Sequence, residues 1–303
     1  MRESDFIYMT ITGSIQISAV ARLFSSSVVQ EMARKGKSPM FARLANEALL
    51  FSKASSSDLV RDVFDNAFAI LKKKANRHEY VYKSALTQNI LLGTHSLNTA
   101  SMLTEFRVGK CKADVAIFNG TATVYEIKSE RDSLSRLERQ IASYRDVFAK
   151  VYVIAGENHV DAVFNAVPSD VGVMKLSSRL TISRLRDALD QPERTNPATI
   201  FDSIRLNEAV KILESNGVDL PSVPNTQLYS ALRELFVELP PETAHTGMVA
   251  VLKKTRNLLP LADIVKQLPE SLQSAALSVP FRKMDQERLL EAVNTRFNDA
   301  INW

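Results

Sequence analysis

The run KADVAIFNGTATVYEIKS, residues 112–129, limits the possible folds more than any other stretch. Two short segments rich in β-forming residues meet at Asn119-Gly120, and both carry ionisable groups where strand interiors avoid them. Asp114 interrupts Ala113, Val115, Ala116, Ile117 and Phe118, while Glu126 and Lys128 flank Ile127 in a run otherwise made of Val124 and Tyr125. Burying such groups is costly unless opposite charge, hydrogen bonds or a bound ion offsets the desolvation. The stretch therefore predicts a half-buried hairpin with its charges gathered for a purpose.

The flanking sequence sets the fold class. From Ile15 to about Lys74, ISAVARLF, FARLANEALL and LVRDVFDNAFAIL repeat apolar residues at helical spacing, predicting three or four helices. GKSP at 36–39 separates the first from the second, and SSSD at 55–58 offers capping residues. A further helix is expected from about 78 to 92, ending near Gly93. Strands follow at 102–108, 112–118 and 121–128. LSRLERQIASYRDVF then reads as an amphipathic helix with Leu134, Leu137, Ile141, Tyr144 and Phe148 on one face. A strand at 150–156, a short helix in HVDAVFNAV and a strand at 171–176 come next, and from about Pro192 four helices alternate with proline-containing turns. An antiparallel start followed by a crossover implies an α/β fold, a mixed sheet flanked by helices. The expected segments are a helical N-terminal part (1–77), the α/β core (78–180) and a helical C-terminal domain (181–303). No repeat or low-complexity stretch interrupts them.

With 45% hydrophobic and 24% charged residues, the 303-residue chain is globular in composition, and disorder is excluded. Its net charge of +4 is uneven: residues 1–78 hold 12 Lys and Arg against 7 Asp and Glu, 79–180 hold 12 against 11, and 181–303 hold 14 against 16. Lys72, Lys73, Lys74 and Arg77 form the densest basic run, which suits phosphates or a solvated helix face. The single cysteine, Cys111, excludes an internal disulfide and multi-cysteine zinc sites, and reads as a small strand residue. It fits a reducing, cytoplasmic setting. MRESDFIYMTITG lacks the charged and apolar regions of a signal peptide, and no stretch has the length of a membrane span, so a soluble intracellular protein with no membrane partner is expected. The sequence has neither a Gly-rich phosphate loop nor G-x-S-x-G, and His78, His95, His159 and His245 lack metal-ligand spacing.

One arrangement unites the remaining polar residues. Glu79 on a helix, Asp114 on a strand, Glu126 and Lys128 as Glu-x-Lys on the next strand, and Gln140 and Tyr144 as Gln-x-x-x-Tyr on the following helix resemble the PD-(D/E)xK nuclease superfamily. EIKSERDSLSRLERQIASYRDVF, VYVIAG and VPSDVGV are closer still to a bacterial and mobile-element branch of it, largely without assigned roles. The resemblance covers about a third of the chain and implies the restriction-endonuclease-like core. It also implies a phosphodiester hydrolase in which Asp114 and Glu126 hold Mg²⁺ or Mn²⁺ and Lys128 stabilises the phosphoryl charge and helps position the water. Glu79 would complete the ligand set, and Gln140 and Tyr144 would support the site. Glu79 reads equally as a surface acid at a helix N-terminus. Gln140 and Tyr144 read equally as a polar helix shoulder and a core tyrosine.

Residues 126 and 128, two apart on a strand, project from one face. A two-residue turn at Asn119-Gly120 would set Asp114 opposite Tyr125 and therefore on the other face from Glu126. The site thus predicts a three-residue loop or a bulge, giving paired residues an even index sum. DNA is the expected substrate and partner, and a homodimer is implied by resemblance. The alternatives are a catalytically silent nucleic-acid-binding or regulatory module on the same fold, and an RNA-directed nuclease.

Overall fold

A computed structural model describes residues 14–50, 55 and 57–303. The N-terminal run 1–13 and Ser56 of the expected cap lie outside the described residues. The chain falls into two compact units, one of residues up to 87 together with 260–303, the other of residues 88–259. This division differs from the three segments drawn on the sequence: 181–259 groups with the sheet, and the last 44 residues (260–303) group with the N-terminal helices.

The helical unit starts with α1 (Ser14–Leu23), α2 (Ser26–Lys35), α3 (Pro39–Glu47), α4 (Val60–Lys72) and α5 (Glu79–Leu86). Their apolar stripes are buried, Val28, Val29, Met32 and Ala33 in α2 and Val63, Phe64, Ala67 and Phe68 in α4 among them. Phe24 links them, 5.5 Å from Phe64 edge-on and stacked on Tyr80 at 4.5 Å. The helix expected to run from 78 to 92 changes kind at Thr87, continuing as a π-helical segment to Leu92.

The sheet unit contains β1 (Ser101–Val108), β2 (Cys111–Asn119), β3 (Thr121–Lys128), α6 (Leu137–Arg145), β4 (Lys150–Ala155), α7 (Val160–Ala166), β5 (Gly172–Leu176) and β6 (Ile182–Arg186). Helices α8 (Pro197–Ser203), α9 (Leu206–Ser215), α10 (Asn225–Val237) and α11 (Pro241–Thr255) complete it. The helical unit then resumes with α12 (Ala262–Gln267), α13 (Glu270–Leu277), α14 (Lys283–Val293) and α15 (Phe297–Ala300).

The six strands lie in sequence order in a mixed sheet flanked by helices. β1, β2 and β3 are antiparallel, β3, β4 and β5 are parallel through the α6 and α7 crossovers, and β6 returns antiparallel. From Ala122 to Lys128 every residue of β3 is buried, as expected of a strand covered on both faces. Phe106, Phe118 and Phe148 meet on the α6 side with ring centroids 5.6–6.3 Å apart. On the other side Tyr125 stacks on Tyr152 at 5.6 Å, and Gly172 leaves room for the Tyr152 ring, which a Cβ there would meet at 2.3 Å. No helix among the described residues is long and apolar enough to cross a membrane.

Candidate active site

The β2–β3 hairpin fixes the geometry. Phe118 pairs with Ala122 and Asn119 with Thr121 around Gly120, whose φ of 68° suits a residue without a side chain. Paired residues sum to 240, an even sum that, continued one step past the last pair, would bring Asp114 opposite Glu126. The regular ladder ends at Val115 and Tyr125. Beyond it the Ile127 N–H donates to Asp114 Oδ2 (2.7 Å), so a carboxylate takes the place of a strand carbonyl.

A distortion accompanies this opening. Phe106, opposite Ala113, and Phe118 pack on the same side of the sheet although their positions differ in phase, so the alternation shifts between them. Glu105, with a left-handed φ of 56°, and Asp114 occupy facing positions between the pairs Thr104–Val115 and Phe106–Ala113. A positive φ in a non-glycine residue costs about 1 kcal/mol or more and is held by its surroundings. Carboxylate oxygens of Glu105 and Asp114 lie within 4.8 Å of each other, and Lys112 Nζ is 3.7 Å from Glu105. Sequence reasoning missed Glu105, because strand residues alternate by default and nothing in TEFRV signals a left-handed backbone.

Glu126 and Lys128 project toward α6 and are almost fully buried, at 1% and 4% exposure. Lys128 Nζ donates to Glu126 Oε1 (2.7 Å) and to Gln140 Oε1 (3.0 Å). Tyr144 Oη lies 2.8 Å from Glu126 Oε2 and 2.7 Å from the Lys112 carbonyl oxygen. One phenolic proton serves one acceptor at a time, so the Glu126 carboxylate and the Lys112 carbonyl share the Tyr144 hydroxyl. Burial pushes the Glu126 carboxyl above its usual range, against the opposing pull of Lys128, Tyr144 and Gln140. The Tyr144 phenol is raised by burial and by the negative charges of Glu126 and Asp114, so both acids act on one hydroxyl. Glu126, Lys128, Gln140 and Tyr144 thus form one network, and Asp114 stands at its edge.

Local chemistry explains how α6 presents Gln140 and Tyr144. Asp132 Oδ2 accepts from the Ser129 N–H (2.8 Å) and hydroxyl (2.6 Å), folding the chain into a turn directly after β3. The helix consequently begins at Leu137 rather than near Leu134, and buries Leu137, Ile141 and Tyr144. Gln140, one turn before Tyr144, points to the same strand. Cys111 is buried beneath the helix, its Sγ 3.5 Å from Ser143 Oγ. Arg145, one of the arginines of this helix, faces Asp170 at 3.2 Å, which Arg194 also contacts. Glu79 belongs to the helical unit, in the first turn of α5, with its carboxylate ion-paired to Lys83 one turn on.

Comparison with known proteins gives a lineage. A Silicibacter pomeroyi protein of unknown function, SPO1766, covers 39% of this chain and 80% of its own with a TM-score of 0.28 and 15% identity. Protein cII of Enterobacteria phage P4 is 32% identical over 110 residues, which is 36% of this chain and 38% of the phage protein's length. The similarity thus spans well under half of that relative. Residues 72–257, more than half of the chain and including β1 to β6, match the family of bacteriophage P4 protein cII, and the chain belongs to that family.

Proposed function

We propose that the sheet unit carries a divalent-metal-dependent nuclease site on a restriction-endonuclease-like core, with DNA as substrate. The observation that supports this best is that Asp114, bonded to the Ile127 N–H, lies on the strand beside the buried Glu126–Lys128 pair where the β2–β3 ladder opens, at the carboxyl end of parallel strands β3 and β4. Ligand sites of open α/β sheets lie at such ends. The Gly156 N–H, donating to the Lys128 carbonyl (2.9 Å), closes the floor of this end of the sheet.

The donor set suits a hard cation. Asp114 and Glu126 offer carboxylate oxygens, the ligand type of Mg²⁺ and Mn²⁺. When bound, such an ion neutralises phosphoryl oxygens and lowers the pKa of a coordinated water. The chain's own groups do the rest. Lys128, held by the Gln140 side chain, presents a fixed positive charge to the charge that develops on the phosphate. Tyr144 anchors Glu126 to the β2 backbone through the Lys112 carbonyl, and the Ile127 N–H orients Asp114. The proposal uses no residue of the helical unit.

A second reading has its own support. Both oxygens of Glu126 are occupied by internal partners, as they would be in a silent nucleic-acid-binding module that kept the network for stability. Incubating the protein with supercoiled plasmid, linear duplex, single-stranded DNA and structured RNA, each with Mg²⁺, Mn²⁺ or EDTA, separates the two. Metal-dependent DNA cleavage lost in Asp114→Ala and Glu126→Ala supports the nuclease. Binding that survives both changes, without cleavage by any form, supports the module.

A further inference from the structure

The helical unit holds a second feature suited to nucleic acid. Helices α2 and α3 are joined by only Gly36, Lys37 and Ser38. Gly36, at φ 69°, closes α2 by donating its N–H to the Met32 carbonyl (2.8 Å), and Ser38 Oγ accepts from the Phe41 N–H (3.0 Å) to open α3. Glu31 clamps the joint, its Oε2 accepting from the Ser38 hydroxyl (2.8 Å) and the Met40 N–H (3.2 Å). The inner face of α3 is anchored by Phe41, 5.2 Å from Phe64 and 6.1 Å from Phe297. Two short helices joined by a three-residue turn that contains glycine share the connection of the helix-turn-helix motif, whose second helix enters the DNA major groove.

Basic side chains surround this joint. Arg34, Lys35 and Lys37 are exposed around the joint, and Arg288 of α14 reaches the same place by donating to the Arg34 carbonyl (2.9 Å). Lys35 is 3.7 Å from Glu31, whereas Arg34 and Lys37 have no carboxylate within 4.0 Å among the described residues. The outer face of α3 carries Arg43, Asn46 and Glu47, with Arg43 3.5 Å from Glu47. Arg and Asn are the side chains that read guanine and adenine edges. The imbalance of charge follows the same division: residues 1–87 with 260–303 hold 18 Lys and Arg against 14 Asp and Glu, and residues 88–259 hold 20 of each. The chain's net positive charge therefore resides wholly in the helical unit.

We propose that α2, its joint and α3 form a docking surface for duplex DNA. Arg34, Lys35, Lys37 and Arg288 contact phosphates, and Arg43 and Asn46 face the major groove. The proposal rests on the nuclease reading only for the choice of DNA as the polyanion.

The test measures binding of a labelled mixed-sequence duplex by full-length protein in EDTA, across a salt series, so that no cleavage chemistry enters. Arg34→Gln/Lys35→Gln/Lys37→Gln should weaken binding at least about tenfold and reduce the slope of log K against log salt by about 3, since each phosphate contact contributes roughly 0.9. Lys253→Gln/Lys254→Gln, a change of surface charge in the other unit, should leave both nearly unchanged. Absence of duplex binding by the unmodified protein would overturn the proposal. Equal losses in the two variants would overturn it as well, because affinity would then reflect diffuse charge. Loss of cleavage in Lys128→Ala with binding intact would bear on the nuclease reading alone.

Discussion

Tyr144 gives the sharpest test at the scale of single residues. Its hydroxyl joins the Lys112 carbonyl to Glu126, so Tyr144→Phe leaves two buried acceptors short of one donor, at a cost of about 1–3 kcal/mol. Chemical denaturation should show that loss, and metal-dependent cleavage should fall without vanishing, because the carboxylates and Lys128 remain. His245 is buried in α11, accepting a long hydrogen bond from the Ala122 N–H (3.4 Å), and burial lowers its pKa to about 4. The unfolded chain therefore binds a proton between pH 6.5 and 4 that the folded chain refuses. Stability conferred by the neutral ring is intact above pH 6.5 and lost as pH falls through 4, by up to about 3 kcal/mol on the linkage relation. His245→Gln should flatten that part of a stability-against-pH curve, and an unchanged curve would assign the acid sensitivity elsewhere. At this scale the sequence singled out Asp114, Glu126 and Lys128, because charge inside an apolar strand demands a partner, whereas Gln140 and Tyr144 were marked only by the family resemblance. It was silent about Glu105, whose place beside Asp114 depends on a backbone angle, and His245 looked like one scattered histidine among four.

The elements were legible wherever side-chain periodicity followed burial. The hairpin, α6 and the parallel strands appear within a few residues of their expected bounds, and the even register follows from a loop whose length the charges required. β6 was missed because Ser183, Arg184 and Leu185 are all exposed and none of its residues is buried, so an edge strand of this kind has no alternating pattern to read. The late start of α6 traces to Asp132 capturing Ser129, a local bond that competes with helix formation. Packing between β4 and β5 leads to a prediction at the same scale. Gly172→Ala sets a methyl group 2.3 Å from the Tyr152 ring and 2.8 Å from the Ala188 nitrogen, so the ring must leave its stack on Tyr125. The variant should lose about 1–3 kcal/mol in denaturant unfolding, while Gly217→Ala, where the added carbon meets open space, should lose less despite its φ of 71°.

For the whole molecule, the unit boundaries make an expectation that differs from a division of the sequence by texture. The helices after Pro192 looked like one C-terminal domain because helical periodicity carries no information about which core a helix joins. Thr255 and Arg256 instead tie α11 to Glu208 of α9 within the sheet unit, and α12 to α15 pack with the N-terminal helices. A fragment of residues 88–259 should therefore unfold cooperatively with a protected sheet in hydrogen exchange, whereas residues 1–180 should not, since that cut removes α8 to α11. The account's central claim, a metal-dependent nuclease site built on the β3 acid and lysine, is tested most directly by the rate of plasmid cleavage in Mg²⁺ and in EDTA by the unmodified protein and Lys128→Ala, with near-ultraviolet circular dichroism verifying the fold of each. The account predicts cleavage by the unmodified protein in Mg²⁺ alone and a loss of at least about a hundredfold in the variant. Equal rates in the two proteins, or cleavage that persists in EDTA, would contradict it.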